Sequence, residues 1–223
     1  MRIDLTASSR DSHRIGLFPP LYRRCGKRVF DLFLAILLLP VLLPVIAALW
    51  LMVRRDGGAG FFVQPRVGLD GRVFNCFKMR TMVLDAEAAL KRMCEESPEL
   101  AQEWHVHQKL RVDPRITAVG RFLRATSLDE LPQVFNVLKG DMSFVGPRPF
   151  LIEQEALYRH AGGKDYFELR PGITGSWQVE GRNTTTFTAR VAYDEGYNRS
   201  LSFVRDFALL VKTAGIVVKR TGR

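Results

Sequence analysis

Leu32-Phe-Leu-Ala-Ile-Leu-Leu-Leu-Pro40-Val-Leu-Leu-Pro44-Val-Ile-Ala-Ala-Leu-Trp-Leu-Met-Val53 is the stretch from which the rest of the chain has to be read. Its 22 residues carry no charge and, at about 1.5 Å per helical residue, are long enough to cross a hydrocarbon core of about 30 Å. A soluble core helix seldom runs so long without a polar residue. The flanks do not suit a simple crossing. Arg23, Arg24, Lys27 and Arg28 precede the run and Arg54 and Arg55 follow it, so both ends carry the basic residues that favour the cytoplasmic side. Pro40 and Pro44 lack an N–H and leave the carbonyls of Ile36 and Pro40 without a helical donor, which predicts a bend in mid-run. These features favour a re-entrant helix-break-helix that enters and leaves by one face over a straight span. No small-residue cleavage site follows the run, so it is not read as a removable signal peptide.

The remainder is about one domain's worth of chain in 223 residues. With 33 basic against 23 acidic residues the net charge is +10 and the pI about 9.9, which favours anionic partners. Nucleic acid is set aside, because the basic residues are spread along the whole chain and would leave the apolar run unexplained. Cys25, Cys76 and Cys94 show no CxxC spacing, which argues against a disulfide framework or a zinc site and for a reducing, cytoplasmic location. His105 and His107 do not share a helix face, so no metal role is given to them.

Asp70-Gly71 is a turn signal between Phe62-Val63 and Val73-Phe74, predicting a small hairpin. The stretch from Leu84 to Lys109 reads as one or two exposed amphipathic helices around Pro98. Helical periodicity returns from Val119 to Leu138. Gly140 to Pro149 and Pro171 to Gly181 are glycine-punctuated loops. Phe203 to Lys219 is helical in spacing, and either lies on a bilayer or joins the core.

Between the loops stands Ser127-Leu-Asp-Glu-Leu-Pro-Gln133. Ser127 with Glu130 three residues on fits a capping box, with Asp129 complementing the helix dipole. Pro132, easiest in a first helical turn, points instead to Leu128 or Asp129 as the cap. The same geometry fits chemistry. A helix N-terminus binds phosphate and keeps a carboxylate ionised, and such a carboxylate can act as a nucleophile. Adjacent helical residues point about 100° apart, so Asp129 and Glu130 would divide the work. Asp129 would attack phosphorus and Glu130 would hold a hard cation such as Mg²⁺. Arg124 and Arg148 are candidates to stabilise the charge of a transferring phosphate.

Lys27-Arg-Val-Phe-Asp31 leading into the proline-bearing run, Gln64-Pro-Arg-Val-Gly68, Lys78-Met-Arg-Thr-Met82, Ser127 to Gln133, Gly140-Asp-Met-Ser-Phe-Val-Gly-Pro-Arg-Pro149, Arg170-Pro-Gly-Ile-Thr-Gly175 and Gln178-Val-Glu-Gly-Arg-Asn183 together resemble the bacterial sugar transferase family, the monotopic phosphoglycosyl transferases. The resemblance runs from about Arg24 to the C-terminus. The mixed, polar start with Pro19 and Pro20 reads as a mobile arm at 1–22, and the whole is expected to be a mixed α/β, mostly helical fold with a re-entrant membrane helix at 23–56 and a small cytosolic catalytic domain with interfacial amphipathic helices at 57–223. The resemblance implies Asp129 as nucleophile, Glu130 as metal-binding partner, Mg²⁺ dependence and a covalent intermediate. Lys78, Arg80, Gln178 and Arg182 would bind substrate. Pro44 is similar to the proline at the family's helix break, although Leu43 stands where the family often has Ser and Pro40 is a second proline.

The activity implied is transfer of a sugar 1-phosphate, galactose or glucose, from a UDP-sugar to polyprenyl (undecaprenyl) phosphate in exopolysaccharide or glycan assembly. Its setting would be the inner membrane, with the catalytic domain on the cytoplasmic face. Expected partners are those two substrates and anionic membrane lipids, with a homo-oligomer and downstream glycosyltransferases left open. A non-catalytic, membrane-docked interaction protein is the alternative from another class.

Overall fold

The computed structural model describes residues 21–107, 110–181 and 185–218. The proposed arm therefore lies, apart from its last two residues, outside the described residues, as does Arg182. A π-type turn at Tyr22–Gly26 leads into α1 (Lys27–Val53), which corrects one expectation. The run is one α helix through both prolines, not two helices with a break between them. Packing holds it together. Asp31, Ala35, Ile46, Leu49 and Val53 are buried and Leu38 and Leu42 half-buried. Their steps of three and four residues make a single stripe on both sides of the prolines. Pro40 and Pro44 lie on the opposite, exposed face with Ile36.

Each end of α1 is fastened to the globular body. Near its start, Arg28 donates to the carbonyls of Val137 and Leu138 at 2.6 and 3.1 Å. Asp31 accepts from Ser143 Oγ at 2.9 Å and Phe144 N at 3.0 Å. Beyond its end, Arg80 donates to the carbonyls of Val53 and Ala59 and to Asp56. At about 1.5 Å per residue this helix is roughly 40 Å long, and the body accompanies it throughout.

The predicted hairpin forms from β1 (Phe61–Val67) and β2 (Val73–Met79), antiparallel, with Phe61 opposite Met79 and Val67 opposite Val73. Its turn places Asp70 and Gly71 at φ of 57° and 76°, as the Asp-Gly signal requires. The charged stretch becomes α2 (Ala86–Glu96) and α3 (Pro98–His107), and α2 contains no buried residue. Next come α4 (Ala118–Thr126) and α5 (Gln133–Lys139).

β3 (Ser143–Val145) and β4 (Gly172–Thr174) pair in parallel, which the sequence did not announce. Their glycines explain the two punctuated loops. A Cβ on Gly172 would stand 2.1 Å from Gly146 N, and one on Gly146 would stand 2.4 Å from Arg170 O. Two backbones meet there at a distance only glycine permits. Between the strands lies α6 (Glu155–His160), and after them α7 (Ser176–Glu180), α8 (Arg190–Arg199) and α9 (Phe203–Val218).

The main core joins Ala35 and Ile46 of α1 to Val134, Val137, Phe144 and Tyr197, and Leu209 of α9 enters it. Phe203, Val204, Phe207 and Val211 of α9 are exposed. The helix joins the core by one face and leaves an apolar face open. Phe203 packs edge-on against Tyr22 and Phe30, so this apolar face continues the exposed side of α1, where Phe33, Ile36, Leu37 and Val41 lie open.

Candidate active site

α4 ends at Thr126, and Ser127 takes a left-handed conformation (φ 57°) that turns the chain. A single 3₁₀ turn, Leu128–Glu130, then carries both carboxylates, and Pro132 directly precedes α5. The capping box does not form. Ser127 closes α4 instead, its side chain makes no capping bond, and its carbonyl accepts from Glu130 N at 3.2 Å. Asp129 and Glu130 thus occupy a tight link between two helices and not a helical first turn.

Glu130 Oε1 accepts from Lys78 Nζ of β2 and from Arg148 Nη2 of the loop after β3, each at 3.1 Å. The three side chains are only 17 to 25% exposed, low enough to protect the pairs from much of the solvent's screening. Asp129 is half-buried. Burial and then the charge of Glu130 push its carboxyl above the ordinary aspartate range, while Lys78 and Arg124 pull the other way. Arg124 is itself placed by a 2.9 Å bond from Nε to Thr81 Oγ1. The structure therefore brings together Asp129, Glu130, Arg124, Arg148 and Lys78.

It does not bring Arg80 to them. Two residues after Lys78, Arg80 is buried against Asp56, with Nη1 to Oδ2 at 2.8 Å, and against the end of α1. Gln178, on α7, does reach the site, and both of its side-chain amide atoms are buried without a hydrogen-bond partner.

The carboxylates fit a metal only in company. Among the described residues no three His, Cys, Asp or Glu side chains converge. Asp129 and Glu130 are hard oxygen donors, the kind that hold Mg²⁺ when substrate phosphates and water complete the shell.

Two spaces meet at Glu130 and Arg148. One is a narrow polar cleft shared with Arg66, Cys76, Lys78 and Gln133. The other is a chamber of about 270 Å³ that extends from Glu130, Arg148 and Gln178 to Leu38 and Leu42 of α1 and Thr213 and Ile216 of α9. Arg66 is a site residue that sequence reasoning missed, although its motif, Gln64 to Gly68, was noticed.

Comparison with known proteins bears on the whole arrangement. An undecaprenyl-phosphate galactose phosphotransferase of Salmonella typhimurium is 46% identical over 197 residues, covering 88% of this chain and 41% of that protein. A UDP-galactose-lipid carrier transferase of Erwinia amylovora is 49% identical, with the same 88% and 41% coverage. The chain thus spans about two fifths of the length of these relatives. The exopolysaccharide production protein ExoY of Sinorhizobium fredii is 40% identical over 198 residues, 88% of this chain and 87% of that protein. The profile of the bacterial sugar transferase family matches residues 22–220. From the membrane-length helix to the end of α9, the chain belongs to the bacterial sugar transferase family.

Proposed function

We propose that this chain transfers a sugar 1-phosphate, galactose or glucose, from a UDP-sugar to polyprenyl phosphate at the cytoplasmic face of the inner membrane. The observation that carries the reading is one corner of the fold. A half-buried aspartate stands beside a glutamate held by Lys78 and Arg148, at the mouth of a largely apolar chamber walled by α1. The names of the relatives supply galactose, a UDP donor and a lipid carrier.

In the first step an Asp129 oxygen attacks the phosphorus that bears the sugar. The bond from that phosphorus to the bridging oxygen breaks, UMP leaves with the electron pair, and an acyl phosphate remains on Asp129. In the second step an oxygen of polyprenyl phosphate attacks the same phosphorus, the bond to Asp129 breaks, and the carboxylate is restored. Arg124, Arg148 and Lys78 surround this centre with fixed positive charge that needs no reorganisation as negative charge builds. Mg²⁺, held by Glu130 beside Asp129, would neutralise phosphate charge when bound.

The chamber suits an isoprenoid tail. An apolar cavity of about 150 Å³ holds one benzene ring, so 270 Å³ takes roughly two five-carbon units, and the remaining tail leaves past α1 into lipid. That both ends of α1 stay on one face of a bilayer, without the mid-helix break expected from the prolines, rests on how the helix is fastened. A polar body bound at both ends of one helix keeps both ends on its own side of a bilayer, and the open faces of α1 and α9 then meet lipid together.

Intact-protein mass spectrometry of the detergent-solubilised enzyme with Mg²⁺ and UDP-galactose or UDP-glucose, lipid acceptor omitted, tests the scheme. A sugar-phosphate mass on wild type and none on Asp129→Asn is expected. Because burial raises the Asp129 carboxyl, adduct formation should decline on acidification before pH reaches the ordinary aspartate value of about 3.9. Normal turnover without any adduct would replace the covalent step by direct transfer.

A further inference from the structure

One side chain ties the strand that carries Lys78 to the helix that follows the carboxylate turn. Asn136, in the middle of α5, is fully buried. Its Nδ2 donates to the Asn75 carbonyl at 2.7 Å, and its Oδ1 accepts from Phe77 N at 3.0 Å. These two backbone groups lie on the edge of β2 turned away from β1, where Asn75 stands opposite Pro65, which has no N–H to give it. In a parallel ladder, one residue of the neighbouring strand donates to the carbonyl before a given position and accepts from the N–H after it. The Asn136 amide makes that pair of bonds around Cys76, so a side chain takes the place of a third strand. It does so in one orientation only, because a flipped amide would set its NH₂ against the Phe77 N–H. Nδ2 also faces Asp141 Oδ2 at 3.3 Å.

The clamp stands between the two halves of the site. Alternate side chains of a strand share a face, so Cys76, which the amide brackets, and Lys78 both line the cleft with Glu130 and Gln133. Lys78 Nζ reaches Glu130 Oε1 at 3.1 Å. On the other side of the clamp, α5 begins at Gln133, just after the carboxylate turn, and the Asn136 carbonyl accepts from Gly140, Asp141 and Met142 N to close its end. Met79 packs in a cluster with Leu123, Leu128 and Leu131. Apolar contact of that kind holds β2 close without fixing where it lies along its length, because it has no direction. Hydrogen bonds do have direction. A slip of β2 by one residue would turn Lys78 to the opposite face, away from Glu130.

We infer that Asn136 is a positioning residue of the reaction centre, its side-chain amide fixing β2 in the register that sets Lys78 against Glu130 beside Asp129. The inference deepens the proposed transferase reading and rests on it for the use made of Lys78. Asn136 lines neither the cleft nor the chamber, so it acts through Lys78 and not on a substrate.

Acylation of lysines by an amine-selective reagent, mapped by peptide mass spectrometry on the full chain in detergent, reads the place of Lys78 without requiring turnover. The Lys78 side chain is 19% exposed and that of Lys91 on α2 80%, so Lys91 serves as internal reference. In Asn136→Leu, which nearly keeps the volume and loses both bonds, labelling of Lys78 relative to Lys91 should rise about fivefold or more. Donor kcat/KM should fall about tenfold or more. Made in Lys78→Met, the same substitution should cost only about twofold further, because the two changes remove one interaction. An unchanged labelling ratio in the folded variant would overturn the inference. So would a loss of about tenfold in the Lys78→Met background as well, the mark of a merely structural role. Should Asn136→Leu melt well below wild type, Asn136→Asp, which keeps the acceptor for Phe77 N and loses the donor to Asn75, carries the same comparison. If wild type turns over no UDP-sugar while Asn136→Leu still releases Lys78, the transferase reading fails and the placement of Lys78 by Asn136 stands.

Discussion

The two ends of α1 are held to the same body by different means. At the start the contacts are buried and ionic: Asp206 of α9 is fully buried and takes Lys27 Nζ at 2.6 Å and the hydroxyls of Tyr22 and Tyr197 at 2.7 Å each. At the far end the pair is half open, with Asp56 42% exposed opposite Arg80. The rest is packing, as Leu49 and Val53 meet Met79 and Leu123 and Trp50 lies under Arg54. The start of the helix is thus fixed in register by groups that cannot relax into water, whereas the end is fixed mainly by shape. The proposed topology requires both anchors to stand on one side of the bilayer.

The most decisive way to break the comparison is to ask which side each end occupies. Single cysteines placed near Arg24 and near Arg55, in a chain with its own cysteines removed, should both be shielded from an impermeant thiol reagent in intact cells and both be labelled in inverted vesicles. Opposite accessibility would make α1 a crossing helix. The packing of its whole buried stripe against the body would then need another explanation.

Next in size is the ionic anchor. Asp206→Asn leaves the Lys27 ammonium, 13% exposed, without its carboxylate, and breaking a buried pair from one side costs about 3 kcal/mol or more. For a chain of this length that is about 9 °C in melting temperature. A loss under about 2 °C would mean that the network is far wetter than its burial indicates, and that the two ends are held alike.

Much of this was legible in the sequence. The apolar run, the Asp-Gly hairpin and the carboxylate pair carry strong local signals, and Lys78, Arg124 and Arg148 stand out in the sequence as candidates for phosphate or substrate. What escaped notice depends on contacts far apart in the chain. Lys78 and Arg80 sit in one motif and look equivalent there, yet one turns to Glu130 and the other to the end of α1, because only the fold decides which partner each long side chain meets. The parallel pairing of β3 with β4 is a three-residue event made possible by facing glycines, too short for any periodicity to reveal. The prolines predict a break because their missing hydrogen bonds are visible in the sequence. The stripe from Asp31 to Val53 that keeps the helix whole depends on a partner surface that is not.

Arg80 supplies the smallest and most discriminating test of the half-open anchor. In Arg80→Met the apolar stem remains beside α1, while the donors to Val53, Ala59 and Asp56 are lost. Because Asp56 can turn to water, solvent screens most of the ionic part. The loss is then chiefly that of two carbonyl acceptors near the helix end, about 1 to 2 kcal/mol, or about 4 °C in melting temperature. A donor-binding role would read differently, as a tenfold or larger rise in donor KM at unchanged stability. Melting curves and donor titrations on the same preparation separate the two. If the KM moves and the melting temperature does not, Arg80 belongs with Lys78 at the carboxylates, and the far end of α1 is held by shape alone.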